Sequence, residues 1–171
     1  MKQSPMIALA AAALIGGACG GDATEPATVV ADDITYSAAV QQIVAPWGQF
    51  AVTVKLKNTK NAAVTRSYST GCPVRIRLYR PLDNRLVYDE TKRECGSTSA
   101  TPLELASGAE VTFTTGTRDP KLIAGDSLEF TYYNVMAVVQ PIGGAEAEVS
   151  AGGYKLLYCV QPALNAPPVC T

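Results

Sequence analysis

Five cysteines, Cys19, Cys72, Cys95, Cys159 and Cys170, carry the most reactive chemistry in this chain of 171 residues. A thiol can ligate a metal, exchange disulfides, attack a carbonyl or accept an acyl group, and its setting decides which. No C-x-x-C pair occurs, so the spacing of a zinc knuckle or a dithiol redox centre is missing. Histidine is absent altogether. Without it the chain cannot assemble a Ser-His-Asp or Cys-His nucleophile, and it lacks the commonest neutral metal ligand. Carboxylates at Asp32 and Asp33, Asp89 and Glu90, and Asp119 and Asp126 offer the oxygen ligands that calcium takes. None falls in a D-x-D-x-D-G loop, so turns and strand ends explain them better, and no metal or other cofactor is expected. Arg75, Arg77, Arg80 and Arg85, with Tyr79, form the other candidate. Guanidinium forks bind carboxylate or phosphate bidentately, so this stripe is a possible surface for an anionic glycan, a phosphate head group or an acidic protein face. A solvated outer face of a hairpin has the same composition, and that plainer reading is preferred.

What positions these groups depends on where the chain resides. Residues Met6 to Ile15, MIALAAAALI, are ten consecutive apolar residues behind a single early charge at Lys2. A permanent membrane span needs about 20, so the run has the length of a signal-peptide core. Gly16, Gly17 and Ala18 then lead into Cys19. This junction resembles the lipobox of bacterial lipoproteins, with Gly16 standing where that family prefers leucine. The resemblance implies a signal peptide over residues 1 to 18, a diacylglyceryl group on Cys19, and a cell-envelope location in which the membrane is held through the anchor. Gly20, in place of the aspartate that retains some lipoproteins in the inner membrane, points to the outer one, facing the periplasm or the cell surface. Residues 19 to 31 then form the lipidated cysteine and a flexible linker, GGDATEPATVVA, of roughly 20 Å random-coil reach.

Export brings an oxidising compartment, so Cys72, Cys95, Cys159 and Cys170 are expected as disulfides. Four cysteines allow three connectivities. Nearness in sequence favours Cys72 with Cys95 and Cys159 with Cys170. A closed loop of about 24 residues is worth roughly 3.5 kcal/mol in the chain-entropy account, and one of about 12 just under 3.

Residues 32 to 171 have the size of one ordinary domain. The net charge of −1, from 14 basic and 15 acidic residues, gives no field that would call for nucleic acid. Alternation with period two dominates. In QFAVTVKLKN, Phe50, Val52, Val54 and Leu56 share a side, and in GCPVRIRLYR the inward set is Val74, Ile76 and Leu78. AAVTRSYS (residues 62 to 69) is a weaker strand. PLDN supplies turn chemistry before RLVYDE returns as a hairpin arm, and SGAE turns into VTFTTG. GDSLEFTYYNVMAVVQP is a long strand-prone stretch in which Tyr133, Val135, Ala137 and Val139 share a face. AEAEVSAGGYKLLYCV suggests two short strands around Gly152 and Gly153. Ala38 to Val44 is the nearest approach to a helix and is too short. Trp47 is expected to cap one end of the core. Seven to nine short strands predict an all-β antiparallel sandwich.

Residues 49 to 160 resemble the BsuPI type of intracellular proteinase inhibitor domain, a sandwich also found in bacterial lipoproteins. The likeness rests on FAVTVKLKNT closing on Asn58, the R-x-Y strand, the arm NRLVYDE, the turn in LELASGAEVTF, and the aromatic strand AGDSLEFTYYNVMAVV. It implies an immunoglobulin-like sandwich. It also brings inhibition of a protease through an exposed loop, either the tip Pro81 to Arg85 or the segment Thr91 to Thr101 around Cys95. The sequence thus points to a lipid-anchored, non-catalytic binding module whose partner is an envelope protein or a protease.

Overall fold

In the computed structural model, residues 27–43, 49–95, 99–118, 132–155, 159–160, 164 and 169–170 are described. The signal segment, Cys19, the tether up to residue 26, Trp47, Asp119, Asp126 and the start of the long strand-prone stretch lie outside the described residues.

Alternation builds the body. The strands are β1 (Thr28–Ala31), β2 (Ile34–Ile43), β3 (Gln49–Asn58), β4 (Val64–Ser69), β5 (Arg75–Arg80), β6 (Arg85–Asp89), β7 (Ala100–Leu105), β8 (Glu110–Thr114), β9 (Tyr132–Val139), β10 (Ala147–Lys155), β11 (Cys159–Val160) and β12 (Val169–Cys170). One sheet runs β1-β2-β3-β8 and the other β10-β9-β5-β6, with β4-β7 and β11-β12 as separate pairs. Every ladder is antiparallel. The two four-stranded sheets sandwich one core. It is built from Ile34, Tyr36, Phe50, Val52, Val54 and Leu56 on one side, and Val74, Ile76, Leu78, Val135, Ala137, Val139 and Val149 on the other. Val64, Tyr68 and Leu105 bring β4 and β7 into the same cluster. The period-two reading of β3, β5 and β9 therefore holds residue by residue.

The structure departs from the sequence reading in the tether and at Gly152 and Gly153. Twelve strand segments are described, of which the two four-stranded sheets of the sandwich hold eight, in line with the seven to nine expected. The stretch nearest to a helix is not one, as its shortness implied: residues 38 to 43 lie in β2, whose ten registered partners on β3 outweigh the modest helix preference of its alanines. The tether ends early: Thr28–Ala31 forms β1 on the edge of β2, closed by a two-residue turn with both Asp32 and Asp33 at positive φ (50° and 67°). That geometry is the primed hairpin turn, which aspartate tolerates better than most residues. Gly152 and Gly153 do not divide two strands. They sit inside one strand, β10, whose register on β9 shifts between Ser150 and Gly152, and Gly152 takes the φ of 105° that this bulge requires.

Asn58, at the end of β3, is the fully buried polar residue of the described core. Its Nδ2 donates to the carbonyls of Ala62 (2.8 Å), Leu105 (2.9 Å) and Ala106 (3.0 Å), and its Oδ1 accepts from the Lys60 amide at 2.9 Å. Its backbone N–H donates to Ala109 O and its carbonyl accepts from Gly108 N. One side chain thus joins the end of β3, the loop into β4 and the β7–β8 turn. Gly108, at φ 72°, makes that turn tight enough to reach it.

Cys72 and Cys95 form a disulfide with a Cα–Cα distance of 5.7 Å, clasping the base of the β5–β6 hairpin. The β11–β12 ladder pairs Cys159 with Cys170 in its backbone register, the pairing that nearness in sequence favours. Peptide mapping of the unreduced protein should therefore recover Cys72–Cys95 and Cys159–Cys170 peptides; a peptide crossing the two pairs would refute this pairing. Replacing Asn58 with alanine leaves three carbonyls and an amide without their partner and should lower the unfolding free energy by about 3 kcal/mol, measurable in urea denaturation with the slope unchanged.

Candidate functional site

The arginine stripe takes its place from β5, which carries Arg75, Arg77 and Tyr79 outward because Ile76 and Leu78 point into the core. The structure does not leave this stripe open. Arg77 is the hub of an ion network: Nε lies 3.3 Å from Asp89 Oδ1 on β6, and Nη1 lies 2.6 Å from Glu146 Oε1 and pairs with Glu148 on β10. The guanidinium reaches both ways along the sheet, and its side chain is only 16% exposed. Arg75 donates to the Thr91 carbonyl at 3.0 Å. Tyr79 is half-buried; burial and a hydrogen bond to Glu148 raise its pKa. Arg80 makes a two-pronged pair with Asp83, at 2.9 Å through Nε and also through Nη2. Arg85 is exposed beside it, and its amide donates to the same Asp83 at 3.3 Å. The pairing holds the Asp83 carboxyl down at about 2. The five residues are therefore divided between a structural network at mid-strand and a braced hairpin tip.

Acidic partners explain the division. Asp89 is partly buried, which by itself would raise its pKa, but the Thr91 hydroxyl and amide (2.6 and 3.0 Å) and Arg77 outweigh burial and hold it below the usual aspartate range. Glu90 accepts from the Ile76 amide at 3.0 Å and lies 3.0 Å from Arg118 Nε. Asp32 accepts from the Ala145 amide, and Asp33 pairs with Lys60 at 2.6 Å. Asp32, Asp33, Asp89 and Glu90 are thus placed at turns and strand ends and used there. Among the described residues, no group of three or more histidine, cysteine or acidic side chains could hold a metal ion.

Concave surface lies elsewhere, at the end of the sandwich marked by the Asp32–Asp33 turn. A cleft of about 400 Å³ is lined by Asp32, Thr65, Arg66, Ser67 and residues 142 to 144. Arg66 lies across it, donating to Thr65 O (2.9 Å) and Asp32 O (3.0 Å). Ile142 and Gly143 continue into a second cleft of about 300 Å³ beside the Cys72–Cys95 disulfide, where Arg75 and Gln140 also stand. Hydrogen bonding and charge are the chemistry these walls offer. Sequence reasoning missed Arg66, because nothing in SYS or VTR distinguishes it from an ordinary outward arginine.

A scan against protein-family models finds no match to this chain, and a search of the curated proteins finds none.

Methionine in place of Arg77 leaves three carboxylates facing one another on one sheet and should cost about 2 to 3 kcal/mol of stability at neutral pH. Asp89 has a lowered folded pKa, so its contribution is present above the unfolded value near 3.9 and is lost as the pH falls through the lower folded one. The gap between wild type and R77M should accordingly close below about pH 4. Thermal melts across pH 3 to 7 check this; a gap independent of pH would show that the network contributes by packing alone.

Proposed function

We propose that the chain is a lipid-anchored, non-catalytic binding module of the bacterial cell envelope, a BsuPI-like, immunoglobulin-like sandwich that works by surface contact. The observation that carries this reading is the Cys72–Cys95 disulfide, a bond that persists in the oxidising compartments reached by export and is rare in the cytosol. It agrees with the ten-residue apolar run and the small residues before Cys19. Two acyl chains on Cys19 would hold the protein stably, since each buried methylene contributes about 0.8 kcal/mol. The outer membrane is the proposed site, with an envelope protein as partner. The paired clefts along Arg66 and Arg75 are the concave surface on which such a partner would find polar and charged groups.

A proteinase inhibitor acting through the Pro81 to Arg85 tip is the second reading. It is favoured by Leu82, 90% exposed on a tip braced by the Arg80–Asp83 pair and the positive φ of Asn84. A preorganised apolar side chain of this kind loses little entropy on docking.

Growth with a clickable palmitate analogue should label the wild-type protein, and Cys19→Ser should abolish the label. A label that survives the substitution, or is absent from the wild type, would end the anchor.

A further inference from the structure

Strand registers fix which end of the sandwich the amino-terminal end of β1 faces. Strand β1 runs from Thr28, opposite Ser37, toward the Asp32–Asp33 turn, so Thr28 is the end of β1 nearer Ile43. The second sheet is oriented the same way. Ala145 bonds Asp32 at the turn end, a Cβ on Gly152 would lie 3.8 Å from Val40, and Tyr154 stacks on Phe50 at 4.6 Å. Lys155 and its ladder partner Tyr132 therefore stand at the Ile43 end. Asn134 pairs with Tyr79, and Tyr79 with Leu86, which carries the β5–β6 tip to that end as well.

This end displays apolar side chains in the open. Leu82 is 90% exposed, Tyr132 61% and Leu86 38%. Tyr132 lies two residues beyond the Leu86–Tyr79–Asn134 row on the same sheet, at the end of β9. Among the described residues, Arg80 is matched by Asp83, and the rim keeps the cations Arg85 and Lys155. An apolar tip, an aromatic residue behind it and a basic rim are what an anionic bilayer interface accommodates. The length of the tether agrees. Residues 20 to 27 reach at most roughly 29 Å, while six residue steps from the level of Ser37 to Ile43 cover roughly 20 Å. An acylated Cys19 can therefore lie at the level of the tip.

Resting on the anchor proposed above, we infer that the β5–β6 tip is a second membrane contact: Leu82, Leu86 and Tyr132 settle into the interface of an anionic lipid surface, with Arg85 and Lys155 at the head groups. The sandwich then stands on its tip, with the Arg66 and Arg75 clefts turned away from the bilayer and open to a partner.

The test uses the lipidated protein reconstituted in vesicles of phosphatidylglycerol with phosphatidylcholine, or of phosphatidylcholine alone. Sedimentation reads the anchor, and hydrogen exchange, corrected for intrinsic rates, reads the tip. On the anionic vesicles, amides of residues 82 to 86 should exchange roughly tenfold more slowly than in Leu82→Asp, as expected for loss of one partly buried leucine. Both proteins should sediment equally, since an exposed position tolerates the change. Equal protection in wild type and Leu82→Asp overturns the inference and leaves the anchor standing. Equal protection on neutral and anionic vesicles overturns the anionic surface. Protection that appears only on adding a protease or an envelope extract assigns the tip to a protein and also overturns the inference. Failure to sediment sinks the anchor and the docking together.

Discussion

A single buried amide organises this sandwich. Two sheets and the β4–β7 pair could share a core in several relative positions, because apolar contact is not directional. Asn58 removes that freedom: its donors are satisfied when the loop into β4 and the turn after β7 converge on the end of β3. A displaced turn would leave carbonyls buried and unpaired, and the cost of an unmade hydrogen bond exceeds the net gain of a made one. The core supplies the bulk of the driving force, and Asn58 selects the arrangement.

Arg77 performs a related task on the opposite sheet, on its outer face. Its partners come from strands on both sides, with Asp89 adjacent on β6 and Glu146 and Glu148 beyond β9. A guanidinium can do this because it presents several donors in a fixed plane, whereas a lysine would offer a single point charge. The network sets three carboxylates against Arg77, so at mid-strand the stripe is no basic patch.

Much of the fold was legible in the sequence because alternation is a local signal. Phe50, Val52, Val54 and Leu56, or Val74, Ile76 and Leu78, declare their shared face within ten residues. The turns at Asn84 and Gly108 were equally local, since only certain residues take positive φ without strain. Strands β1 and β2 were obscured, the first by lying in a stretch with linker composition and the second by alanines that suit a helix as well. A ladder with β3 decides the matter, and that is a tertiary fact. The fate of the arginines was illegible for the same reason, since Arg77 meets carboxylates 69 and 71 positions away. No pattern around residue 77 announces Glu146 or Glu148. Arg66 was hidden too, because a cleft is made by loops that the chain brings together only on folding.

The short first strand has a mechanical consequence. A pull applied to the amino-terminal end of β1 along the strand stresses its four rungs lengthwise and all at once. Rungs stressed together resist better than rungs opened one after another from an end, as would happen if the chain left at right angles to the strand. Traction along that line meets a lap joint rather than a zipper, and the tightly closed Asp32–Asp33 corner lies at the far, unstressed end of the joint.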